Sequence, residues 1–465
     1  MVPGRTQLGE GCSDSVIQKL LATWRSDSLL RQVAKNSGYL FSSSSLGIIF
    51  NLIASIYATR AVGVTGFAIL GAITTFAAVA DKLLSFRIGE LVIKYAGGAL
   101  AKNETRRAAA VFKTAALTEL AVSLLSYLLI VALAPLAALY FAKDAALAPY
   151  FIFYGLIVPA GFIYESASAL LQISGHFRSQ AALNLAQSVV TALIVVYAYL
   201  SGAGLGMVLV AYLTGKIIIG FGYAALALWR AGQVFGPGWW RVPFRELPPA
   251  REFWGFALSS NFSGTVNLFV RDSDILWINA LAGLEQGGYY KLAMSLIGYM
   301  LIPVDPFIKT SFPEIAKAVA EGAWLRLKNL LRRLTFISGA TTLAFGLALV
   351  LFAKPLIFNI IYEPKFLPAL LPALILFLGY GLANTLFWNR PLILALGHPL
   401  FPLVVTSLVG LGKIALSLAL VPRFGMTAQA ALMSAYLILS VGIVAARGVA
   451  EVQQSSFPTP NRSPL

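Results

Sequence analysis

A charged side chain inside a long apolar stretch must be paired or put to use, because placing it there costs about 2.5–3.5 kcal/mol even on the lenient insertion scale. Asp81, Lys82, Arg87, Glu165, Lys216, Arg271, Asp272, Asp274, Asp305 and Lys413 all occupy such stretches. The cations Arg87, Lys216, Arg271 and Lys413 have the chemistry to grip phosphate or pyrophosphate, the arginines by forked hydrogen bonds and the lysines as point charges. The acids Asp81, Asp272, Asp274, Asp305 and Glu165 are candidates to bind a coupling cation or take up a proton. The competing reading is that these charges only neutralise one another. Arg271 and Asp274, spaced i,i+3, are the clearest such pair.

Around Arg271 the residues Ser260, Ser263, Asn267, Arg271 and Asp274 recur at steps of three or four, which predicts one polar stripe along an apolar helix. Ser44, Gly47, Asn51, Ser55 and Thr59 form a milder stripe earlier in the chain. Both stripes are expected to line one central cavity, and Asn51 and Asn267 join the candidate substrate-binding set. Glu90–Lys94 and Glu314–Lys317 read as pairs bracing helix ends. His176 and His398 sit in short turns after glycine, too shallow for a proton relay. The single cysteine, Cys12, can form neither an intrachain disulfide nor a metal cluster, so no metal site is expected. No catalytic residue and no cofactor is assigned. The chain has no G-x(4)-G-K-[ST] motif, so nucleotide hydrolysis is not expected.

The elements that must position these residues are apolar helices. Hydrophobic residues make up 58% of the chain and charged ones 12%, against roughly 25% charged in a soluble domain. Runs of nearly 20 apolar residues predict an all-α, polytopic membrane protein with about twelve spanning helices. The expected spans are 38–59, 65–86, 111–134, 147–171, 181–200, 205–229, 253–281, 288–310, 335–353, 366–388, 400–420 and 426–446. The chain also repeats itself. Asn51 answers to Asn267, the Gly63–Gly66 turn to Gly283–Gly287, Asp81 and Glu90 to Asp305 and Glu314, and Gly175-His176 to Gly397-His398. Duplication in a membrane protein points to a transporter of two six-helix bundles with its site at their seam.

The net charge of +16 would suit nucleic acid, but the basic residues lie mostly in alternate loops, as membrane orientation requires. With both termini cytoplasmic, roughly 23 Lys and Arg fall inside and about 5 outside. The expected divisions are a cytoplasmic tail with a basic amphipathic surface helix at 1–37, one bundle at 38–229, a cytoplasmic linker at 230–252, a second bundle at 253–447 and a disordered tail at 448–465. Anionic membrane lipids are secondary partners for the basic loops.

Several stretches resemble a known family. N-x(8)-R-A-V-G-V-T-G-F from Asn51, R-I-G-E from Arg87, D-S-D-I-L-x(4)-L-A-G-L-E-Q-G-G-Y-Y from Asp272, F-P-E-I from Phe312 and V-P-R-F-G-M-T-A-Q-A-A from Val421 carry the likeness. They are similar to polysaccharide biosynthesis proteins, the O-antigen and exopolysaccharide (Wzx-like) flippases of the multidrug/oligosaccharidyl-lipid/polysaccharide (MOP) exporter superfamily. The resemblance spans residues of about 30 to 447 and rests on glycine turns and helix patterning. It implies a V-shaped pair of bundles in the plasma or inner membrane. It also implies flipping of an undecaprenyl-diphosphate-linked oligosaccharide to the outer leaflet, with the polysaccharide polymerase machinery as a further partner. Arg87 and Arg271 are carried over as cavity cations, whereas Lys216 and Lys413 rest on the residue reading alone. A multidrug or small-metabolite exporter of the same superfamily is the alternative, and an acid-rich, cation-poor cavity would favour it. A membrane glycosyltransferase or polymerase would need a substantial outer loop, and no predicted loop is long enough.

Overall fold

The computed structural model describes residues 28–84, 88–247, 266–301, 304–398 and 400–456. Among them there is no β-strand, in keeping with the all-α expectation. The main helices of the first half are α1 (Ser28–Leu84), α2 (Ile88–Leu91), α3 (Thr105–Phe141), α4 (Ala148–Gly155), α5 (Tyr164–Ile173), α6 (Phe177–Leu200) and α7 (Gly204–Phe235). Those of the second are α8 (Asp274–Ala282), α9 (Leu284–Leu301), α10 (Asp305–Ala320), α11 (Trp324–Phe352), α12 (Leu370–Thr385), α13 (Asn389–Ala395) and α14 (Leu400–Ser456). Eight of the described helical stretches are long and apolar enough to cross a membrane. Two of these, α1 and α14, are each broken into two arms, at Gly63 and Gly425.

The duplication is written in the backbone. Gly63 (φ 69°, ψ −173°) and Gly283 (φ 91°, ψ 168°) share a conformation that only glycine reaches without severe strain. Asn103 and Gly322, Lys143 and Glu363, Gly175 and Gly397, and Gly204 and Gly425 also have positive φ, each pair about 220 residues apart. The histidine turns match bond for bond. Gly175 and His176 donate to the Gln172 and Leu171 carbonyls, and Gly397 and His398 to those of Leu394 and Ile393, a glycine helix stop used twice.

Packing divides the molecule by end. Away from the basic loops, Phe67, Leu70, Ile73 and Phe76 of α1 share one buried cluster with Tyr290, Leu292 and Ile297 of α9 and with Phe358 and Tyr362. Cross-half hydrogen bonds reinforce this far end. Arg60 reaches the Ile360 and Ile361 carbonyls at 2.7 and 2.8 Å, and Lys143 the Ala280 carbonyl at 2.8 Å. Asn279 Nδ2 donates to the Ala68 and Phe141 carbonyls. At the end carrying the basic loops each half has its own cluster, Val111, Phe112, Leu170 and Tyr223 in the first and Leu327, Trp388, Leu392 and Val452 in the second. Among the described residues the shared cluster joins the two halves at the far end, and each of these basic-end clusters lies within one half.

The structure departs from the sequence reading in four places. The last helix continues to Ser456, past the expected end at 447, because Val452 is buried and Glu451 faces His398 at 3.1 Å and Arg447 at 3.9 Å. In the linker, α7 runs on to Phe235, and Trp239 packs against Phe112 and Phe235 of the first half. Glu314 and Lys317 do not pair with each other: Glu314 bonds Arg326 at 3.1 Å and Lys317 faces Glu321 at 3.9 Å. Helix α1 is continuous from Ser28 across the expected boundary at 37, and the rest of the expected surface helix lies outside the described residues.

Candidate functional site

The site is built around a break in the helix that carries Arg271. Leu268–Asp272 form a π-helical turn, with Ser273 donating to the Leu268 carbonyl at 3.0 Å, and α-helix resumes at Asp274. The wide turn adds residues per revolution and displaces carbonyls from the regular ladder. Side chains take up those carbonyls: the Ser273 hydroxyl donates to Phe269 O at 2.8 Å and Lys413 Nζ to Val270 O at 2.5 Å. The register change also separates residues that an unbroken helix would stack. Arg271 and Asp274 are not partners. Asp274 is buried and ion-paired with Lys413 of α14, and it accepts a hydrogen bond from the Tyr290 hydroxyl at 2.7 Å. Arg271 turns elsewhere and lies 5.2 Å from the centre of the Tyr380 ring.

Three adjoining pockets form a hollow, two of them between the halves and one walled by the second half alone. One, of about 350 Å³, is walled by Thr74, Ala78 and Lys82 of α1 and by Arg271, Asp272 and Tyr380. Here Lys82 Nζ meets Asp272 Oδ2 at 2.8 Å, an ion pair across the seam with both partners partly exposed. A second, of about 430 Å³, shares Arg271 and Tyr380 with the first and adds Asn267, Asn384, Arg390 and Tyr436. The third, of about 450 Å³, shares Thr74 and Gly298 with the first and lies deeper, among Tyr154, Tyr212, Lys291 and Tyr299. The hollow therefore presents Lys82, Arg271, Lys291 and Arg390 against the single described acid Asp272.

The sequence-predicted residues scatter around this hollow. Arg271, Asn267 and Asp272 line it. Lys413 and Asp274 are buried and committed to each other, so neither faces it. Lys216 is exposed, its Nζ 5.8 Å from the Tyr164 ring centre. Half-buried Asp81 is in electrostatic reach of Lys216 and Lys82. Glu165 accepts a hydrogen bond from the Gly89 amide at 3.2 Å. Asn51 is exposed on α1, one turn from Ser55, which lines the deep part. Only the backbone of Asp305 is described, at the start of α10. Arg87 lies outside the described residues.

Four residues escaped the sequence reading although its own criterion applied to them. Lys291 and Lys309 fall within the predicted span 288–310, and Lys113 and Glu119 within 111–134. Glu119 accepts from the Glu165 and Ser166 amides at 2.7 and 3.0 Å and from the Ser166 hydroxyl at 2.7 Å. It thereby satisfies the open amides at the start of α5, which would otherwise be orphaned inside the bundle.

The arrangement is that of a multi-pass membrane protein built on the MOP-superfamily fold. A multidrug resistance MATE transporter of that superfamily, solved in an inward-facing conformation, matches with TM-score 0.65 and 13% identity over 88% of this chain and 95% of its own. A MOP-superfamily transporter from Pyrococcus furiosus, described as having a binding pocket of reverse polarity, matches with TM-score 0.63 and 14% identity over 92% and 96%. An outward-facing MATE structure matches with TM-score 0.56 and 15% identity over 91% and 96%. The family model for polysaccharide biosynthesis proteins matches residues 58–370, and the chain belongs to that family. No curated protein matches it.

Proposed function

We propose that this protein is a flippase that carries an undecaprenyl-diphosphate-linked oligosaccharide across the plasma or inner membrane for surface polysaccharide assembly. The observation that carries this reading is a seam hollow lined by Lys82, Arg271 and Lys291, with Asp272 its one described acid. A guanidinium set against an aromatic ring and a lysine bound only to an exposed carboxylate can exchange partners for a diphosphate. The basic loops mark the cytoplasmic end by the positive-inside rule. A shared cluster at the far end and separate clusters at the basic end among the described residues favour reading this as an inward-facing state. The diphosphate enters from the cytoplasmic side, displaces Asp272 from Lys82 and is gripped by Arg271, while the polyprenyl tail stays in lipid. Rocking of the two halves exposes the same site outside, driven by a cation gradient or the membrane potential. The same charge balance disfavours a multidrug exporter of cationic compounds, which would need acids in the hollow.

Transport by protein reconstituted in vesicles, with a fluorescent undecaprenyl-diphosphate disaccharide as substrate, tests this. Arg271→Ala is expected to slow translocation about ten- to hundredfold, as loss of a charge-assisted contact requires. Unchanged translocation by that variant would remove the anion-gripping role.

A further inference from the structure

The part of the hollow beside Tyr154 and Tyr212 holds a cation with no counterion among the described residues. Among the described residues Lys291 has neither a carboxylate nor a hydrogen-bond acceptor for its ammonium. Its aliphatic stem lies over Gly71 of α1, so close that a Cβ there would stand 3.2 Å from Lys291 Cδ. The lysine is thus held in the wall between the halves. Around it stand Tyr154, Tyr212, Tyr299, Ser55, Ser295 and Thr74. Ser295 is occupied with the Lys291 carbonyl at 2.9 Å, and Thr74 with that of Leu70 at 2.8 Å. Each of these hydroxyls still has lone pairs to offer. The hydroxyls of Tyr154 and Tyr212 carry no hydrogen bond to described residues.

A half-buried ammonium without a counterion in a membrane span draws an anion into the same space. One point charge, ringed by aromatic faces and hydroxyls, suits a sugar bearing a single negative group. A diphosphate suits the Lys82–Arg271 part better, where a guanidinium fork is present. The two parts share Thr74 and Gly298 as a common wall, so one extended ligand can occupy both. We infer that the Lys291 pocket is a subsite for an acidic sugar, such that the transported glycan carries a carboxylate close to its diphosphate end. This assignment rests on the flippase reading for its cargo but not for its chemistry.

Two measurements test it on the full-length protein. The first is binding of a free glucuronate-containing disaccharide and of its neutral glucose counterpart to purified protein. The second is translocation of the same pair linked to undecaprenyl diphosphate. Wild type is expected to prefer the carboxylate form by about tenfold in both. Lys291→Met, which keeps the stem over Gly71, is expected to lose that preference in both measurements. Arg271→Ala should slow both lipid-linked forms and leave free-disaccharide preference intact. Equal binding of the two disaccharides by wild type, or an undiminished preference in Lys291→Met, overturns the subsite. Lys291-dependent preference without translocation of either lipid-linked form upholds the subsite and removes the flippase reading.

Discussion

At the scale of single residues, the intramembrane charges divide by what faces them rather than by sign. Lys413 and Asp274 are each 3% exposed in their side chains and bind each other, with Tyr290 and the Val270 carbonyl completing the group. Removing one partner leaves a buried charge alone, so Lys413→Met or Asp274→Asn is expected to destabilise the fold by about 3–5 kcal/mol, read as a fall in melting temperature in detergent. The double variant Lys413→Met with Asp274→Leu should recover most of that loss. By contrast, Lys82 and Asp272 have exposed side chains (58% and 37%), and their pair contributes only about 0.2–1 kcal/mol. Glu119 shows how a carboxylate can be held inside a span: three donors at the start of α5 bind it. The sequence marks all of these as costly charges. Which are paired depends on neighbours 46 to 190 residues away in the chain, so spacing alone does not tell Lys413 from Arg271.

At the scale of elements, glycine sets the geometry twice over. The matched conformations of Gly63 and Gly283 turn the chain between paired helices, and a side chain there is strained whatever space surrounds it. Gly63→Ala and Gly283→Ala are each expected to cost about 1–3 kcal/mol by thermal unfolding. Gly288 acts through proximity, since a Cβ on it would run into the Val64 carbonyl across the far-end contact. A backbone carbonyl cannot step aside as a side chain can. Gly288→Ala is therefore expected to loosen the far end, seen as labelling by a membrane-impermeant thiol reagent of a cysteine placed at Val64 or Ala280. The repeat was legible because turn glycines survive as letters. The π-helical turn at Leu268–Asp272 was not, because nothing in L-F-V-R-D departs from ordinary helical composition. That turn breaks the predicted stripe and sends Arg271 and Asp274 to different neighbours.

At the scale of the whole molecule, one cluster of the described residues is shared by both halves and lies toward one end, while the other clusters each belong to one half. A cleavable bis-maleimide cross-link between Lys143→Cys and Ala280→Cys, at a cross-half contact, is expected to hold the far end shut and stop translocation, with recovery on cleavage. Lys82→Ala removes the seam ion pair beside Arg271. It should broaden the distance distribution between spin labels on the basic ends of the halves while leaving the melting temperature nearly unchanged.

Composition and hydropathy were enough to establish a helical membrane protein, because a lipid environment permits few other spanning structures. The constant offset between landmarks was enough to establish two copies of one unit. The partnering of each buried charge, the place of Lys291 in the hollow and the end at which the halves close were decided by tertiary structure alone. Each is a relation between side chains brought together from distant parts of the chain. Local periodicity records which face of a helix is polar, but not what stands opposite that face.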